Sequence, residues 1–147
     1  MKVIARRVPL EMVVVALAPG ELLLESVQEA IRKHRLRHGV VVSGIGTLSV
    51  CRLHYIQDTD FTPDNRFFTL RKPLELLSVS GIIADGEPHL HVVVSRGRNE
   101  VYAGHLEPGS RVAYLAELAI LKCNRLELVR RLDPVRKVKL LQARRPS

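Results

Sequence analysis

Three of the chain's six histidines fall in one short stretch, HLHVVVSRGRNEVYAGHL, from His89 to Leu106. Imidazole is a ready metal ligand and titrates near neutrality, so metal binding and proton handling are the chemistries this stretch offers. Side chains alternate across a β-strand, which puts His89 and His91 on one face and Leu90, Val92 and Val94 on the other. The polar segment SRGRNE, with Gly97 close to Asn99, reads as a hairpin turn whose return strand carries Val101, Ala103 and His105. Loop parity then decides the third imidazole. An even loop, Arg96 to Asn99, sets His105 opposite Leu90 and away from the pair; an odd loop, Gly97 to Asn99, sets it opposite His91. Spacing leaves both loops open. It also leaves open whether the imidazoles hold a metal or form a half-exposed face bonded to water and carboxylates, because zinc wants three or four converging ligands and only two are secured.

The other histidines read differently. His34 and His38 stand four apart among Arg32, Lys33, Arg35 and Arg37, where cations oppose a divalent ion, and are expected at the basic end of a helix. His54 is expected to be a packed or surface residue of its strand. Cys51 and Cys123 form no CxxC pair and read as small buried hydrophobes. Neither a P-loop, a dinucleotide fingerprint, an HExxH helix nor a nucleophile elbow occurs.

The elements that position these residues follow from periodicity. From Pro19 to His38 apolar residues recur at helical spacing (Leu23, Val27, Ala30, Ile31), with Gly39 placed to end the helix. VVVSGIGTLSVCRLHYI, PLELLSVSGIIA, the histidine hairpin and RVAYLAELAIL are dense in β-branched residues and punctuated by Gly and Pro, which predicts strands. Ser43-Gly44-Ile45-Gly46 reads as a bend or bulge, and the early apolar run MVVVAL as a first strand and not a signal peptide. The expected architecture is α+β, a mainly antiparallel sheet with one main helix packed on it, in a single domain over 1–147. An apolar fraction of 46% fits a globular protein, no run is long enough to span a bilayer, and a cytoplasmic location is expected.

The formal charge of +8 points to phosphate-bearing partners. Basic residues gather in Arg32 to His38 (Arg32, Lys33, Arg35, Arg37) and from Arg130 to Arg145 (Arg130, Arg131, Arg136, Lys137 among them), and these are the candidate nucleic-acid contacts. A solvated surface is the competing reading.

Several motifs in order, PGE, VVSGIGTL, ELLSVSGIIA, PHLHVVVS and AGHLEPGSRVAYLAELAI, together resemble the plants-and-prokaryotes-conserved (PPC) domain. The resemblance covers a core of about 5–132 and leaves a basic extension at 133–147. It implies a homotrimer, and it implies that His89, His91 and His105 hold one zinc or other divalent ion per chain, with Ala103 standing where the family has a first glycine. It also makes Glu75 the candidate proton-handling or supporting carboxylate. Plant relatives bind DNA through a separate Arg-Gly-Arg-Pro hook. Arg96-Gly97-Arg98-Asn99 lacks its proline and Ala143-Arg144-Arg145-Pro146 its glycine, so any DNA contact is expected to be electrostatic and indifferent to sequence. The leading expectation is a metal-holding protein with a DNA-associated or regulatory role. A metal-dependent enzyme using Glu75 as base, or a small-ligand-binding trimer, is the alternative.

Overall fold

The computed structural model describes residues 3–5 and 7–144; Arg145 and Pro146 of the terminal basic segment lie outside the described residues. The β-branched runs form strands, since their side chains pack well on a pleated surface. In chain order the elements are β1 (Glu11–Leu17), α1 (Leu23–Lys33), β2 (Gly39–Ile56), β3 (Asn65–Ala84), β4 (Glu87–Arg96), β5 (Glu100–Leu106), β6 (Arg111–Lys122), β7 (Leu128–Leu132) and β8 (Lys139–Ala143). Six strands make one sheet in the order β1-β6-β2-β3-β4-β5, and β7 pairs with β8 in a separate hairpin. Every pairing is antiparallel. Among the described residues the fold is thus mainly antiparallel sheet with one α-helix. Residues 139–143 of the basic segment form β8, which folds back on β7 from Leu128↔Ala143 to Leu132↔Lys139.

Strand β2 is long enough to have different neighbours along its length. Its first part pairs with β6, and its far end meets β5 through Leu53↔Leu106 and His54↔His105. The pairings β2–β3–β4–β5 therefore close on themselves. Inside lie Leu48, Leu53, Leu76, Val79, Leu90, Val94 and Leu106, all almost without solvent contact. Both cysteines are free and buried.

The helix is shorter than its periodicity predicts. It ends at Lys33, and Arg35, at φ 48°, turns the chain so that Leu36 enters the core. Gly39 opens β2 instead of capping the helix; a Cβ there would stand 2.8 Å from the carbonyl oxygen of Leu121. Leu23, Leu24, Val27 and Ile31 form the buried face, each contributing about 1.5–3 kcal/mol. His34 is exposed at the helix end, whereas His38 lies beyond it and is buried. The Nδ1 atom of His38 accepts the backbone N–H groups of Asp85 and Leu128, both at 3.2 Å. Burial, and then the neighbouring Arg37, hold this imidazole below its ordinary range, which keeps the acceptor available.

Two glycine positions set the sheet around the histidines. Asp85 and Gly86, both at positive φ, make the two-residue turn between β3 and β4. Opposite Leu90, Gly81 (φ 156°) lets β4 come so near that a Cβ would lie 2.0 Å from the carbonyl oxygen of His89.

Candidate metal centre

The loop between β4 and β5 is the odd one. Arg96 pairs with Glu100, leaving Gly97, Arg98 and Asn99 in the turn, with Gly97 at φ 58°. His91 therefore faces His105 across the ladder, and His89 shares their face. The Nε2 atoms of His89 and His91 stand 3.2 Å apart. Two nitrogens on one tetrahedral zinc, each at 2.0–2.1 Å, would be about 3.3 Å apart. The His105 ring meets both edge-on, with centroids at 4.9 Å from His89 and 5.5 Å from His91.

Two further residues complete the cluster. His54, opposite His105 in the β2–β5 pairing, stacks on it at 4.4 Å. Glu107 Oε1 accepts from Nδ1 of His54 at 2.6 Å and from Nδ1 of His105 at 3.1 Å. A carboxylate on one ring nitrogen fixes the tautomer and leaves the other nitrogen free for an ion. His54, His105 and Glu107 are also a possible ligand set by themselves, their ligand atoms all lying within 4.8 Å. His105 belongs to both groupings.

The electrostatics favour neutral imidazoles. Partial burial of its ring, followed by His105, Arg130, His91 and His54, pushes His89 down to about 4. Burial and then His54 lower His105, against the opposing pull of Glu107. At neutral pH these rings have lone pairs to offer, the form that metal ligation needs.

Sequence reasoning missed His54 and Glu107. Glu107 had a signal, since it follows His105 by two and so continues the same face. His54 had none, because a contact between the far end of β2 and β5 joins segments fifty residues apart. Gly104 explains how they meet. A Cβ there would lie 2.6 Å from the carbonyl oxygen of His54, whereas the preceding Ala103 is exposed.

A model of the Plants and Prokaryotes Conserved (PCC) domain matches residues 6–124. The chain belongs to this family. The match takes in β1 to β6 and α1 and stops before β7 and β8. Among curated relatives, the bifunctional protein GlmU of Synechococcus sp. is 31% identical over 118 residues, 80% of this chain but 18% of GlmU. The chain thus spans less than a fifth of that relative. Two solved structures share the fold. The metal-containing protein of Archaeoglobus fulgidus aligns at TM-score 0.76 and 23% identity, covering 97% of this chain and 99% of its own. A candidate DNA-binding protein of Bacteroides thetaiotaomicron aligns at 0.78 and 17%, covering 89% and 91%.

The remaining predicted site residues of the PCC chain are scattered. Glu75 is not brought to the histidines: it pairs opposite Ser95 and lines a separate small cavity with Thr47, Leu74 and Tyr114. Within one chain the carboxylate that contacts the histidines is Glu107. Arg32, Lys33, Arg35 and Arg37 are exposed at and beyond the helix end, and Arg37 pairs with Asp85 at 2.5 Å. Arg144 also pairs with Asp85, so the turn after β3 ties the two basic segments together. Arg131 is exposed, while Arg130, Arg136 and Lys137 line the space in front of the histidines. No helix among the described residues is long and apolar enough to cross a membrane.

Proposed function

We propose that this PCC-domain chain holds one zinc or similar divalent ion through His89, His91 and His105, with Glu107 orienting His105 and His54 stacked behind it. The observation that carries this reading is the 3.2 Å separation of the His89 and His91 Nε2 atoms beneath the His105 ring. A structural relative described as metal-containing supports it. Elemental analysis of zinc-reconstituted protein tests it, with close to one ion per chain expected.

We further propose a trimer, as the family resemblance implies. Support comes from the outer face of the sheet, where Met12, Val14, Ile45 and Leu115 are exposed, Val14 by 69%. An apolar face of this kind asks for cover, and neighbouring subunits provide it. Light scattering at micromolar concentration is expected to return three times the chain mass. A monomer throughout that range would refute the assembly.

A DNA-associated role is the second reading, favoured by the joining of two distant basic segments at Asp85 and by a structural relative described as a candidate DNA-binding protein. Duplex binding is expected at low salt, equal for AT-rich and GC-rich sequences, and steeply lost as salt rises. Reversing Arg32, Lys33 and Arg131, all exposed, should flatten the salt dependence by about three in slope. Absence of binding at low ionic strength would leave the +8 charge as a solvated surface.

A further inference from the structure

We propose that the groove in front of the histidines binds a small organic anion, a phosphoryl or carboxylate compound with an apolar body, gripped by cations of the β7–β8 hairpin. This deepens the metal reading, since a bound ion would face the same groove, but the cationic wall does not depend on the ion.

The groove encloses about 790 Å³, a volume that suits a small organic molecule. His54, His89, His91 and His105 line it together with Arg130, Arg136, Lys137 and Lys139. Among the described residues a single carboxylate lines it, Glu87, which Lys139 already engages at 2.5 Å. Arg130 is half-buried and donates to two backbone carbonyls, Ile82 at 2.8 Å and Glu87 at 3.0 Å. Neutral carbonyls fix a guanidinium without cancelling its charge. Among the described residues none of Arg130, Arg136 and Lys137 is in an ion pair. The hairpin turn that presents the last two is itself braced, since Asp133 Oδ1 accepts the N–H groups of Val135 and Arg136 and the Asp133 carbonyl accepts that of Lys137.

A solvated basic face is convex and interleaves its charges with carboxylates. Here Arg130, Arg136 and Lys137, beside the Lys139–Glu87 pair, line one concavity, where low-dielectric walls concentrate their field. Ile56, Pro63, Pro88 and Val138 add apolar surface for the body of a ligand. Duplex DNA has other cations available in Arg32, Lys33 and Arg131, which are exposed and lie outside the groove lining.

The test is calorimetric titration of the full chain, zinc-loaded and metal-free, with phenylphosphonate, benzoate and neutral benzamide. Phenylphosphonate should bind most tightly, and in both states more tightly than benzamide. The double variant Arg136→Gln/Lys137→Gln should weaken phenylphosphonate binding about tenfold or more while retaining its zinc. These residues are exposed in the turn, so they probe the wall without the structural role of Arg130. If zinc is absent from wild type but phenylphosphonate still prefers the cationic wall, the metal reading fails and this one stands. Equal binding of phenylphosphonate and benzamide, no effect of the double variant, or displacement of phenylphosphonate only by duplex DNA in proportion to phosphate content would overturn it.

Discussion

Protein carrying His91→Ala is expected to fall from close to one zinc per chain to a trace after identical reconstitution. Its ring supplies one of the two nitrogens 3.2 Å apart and faces His105 across the ladder. Two scattered imidazoles do not make a zinc site. Because His91 is exposed, its removal should leave the fold intact, and circular dichroism serves as the control. Glu107→Gln should retain the three ligands but weaken affinity by about 10–100-fold, the usual cost of losing a carboxylate behind a ligating histidine. The variants also separate the two groupings that share His105. Were zinc retained in His91→Ala but lost in His54→Ala and Glu107→Gln, the ion would belong to His54, His105 and Glu107. Equal zinc content in every variant would remove the centre altogether.

The second large effect is on stability. Gly81→Ala is expected to cost about 3 kcal/mol, at the upper end for an overpacked site. The added methyl would sit 2.0 Å from the His89 carbonyl oxygen, on backbone that cannot swing aside as a side chain can. Either β3 and β4 part or the turn at Asp85 and Gly86 distorts, and His89 moves in both cases. Gly97→Ala is the comparison: its φ is 58° and nothing lies within 4 Å, so only the left-handed backbone penalty applies, about 1–2 kcal/mol. Urea unfolding with an unchanged m-value measures both. A Gly81→Ala loss no greater than that of Gly97→Ala would show that close strand approach is not what this glycine provides.

How far the sequence could be read depended on the range of the interaction. Alternation within β4 and β5 placed His89 and His91 together, because it needs only neighbouring residues. Loop parity lay just beyond reach, since Gly97 and Asn99 each suit a turn of either length. The helix end was misjudged because the spacing of Leu23, Val27 and Ile31 runs on to His34 and His38, whereas the helix stops at Lys33 and Leu36 reaches the core by way of the left-handed Arg35. His38 then looked helical and charged when it is buried and accepts two backbone N–H groups. Glu75 came from the resemblance and lines a different cavity from the histidines. The cationic wall was half visible: the arginines and lysines were conspicuous, but their convergence depends on β8 returning along β7, and no local pattern announces which face that hairpin turns inward.

The position of β1 has a consequence in time. It sits at one end of the sheet with β6 as its sheet neighbour, in a register that runs from Glu11↔Lys122 to Leu17↔Ala116. A ribosome adding about 5–20 residues per second needs on the order of five to twenty seconds to travel from one strand to the other. Throughout that interval the first strand has been made and its ladder partner has not. Val13 and Leu17, buried in the finished fold, are then without the surface that covers them. Closing so large a loop is entropically slow, so sheet completion at this edge comes late. The nascent chain is most open to wrong pairing through its earliest strand, and the synthesis of β6 ends that exposure.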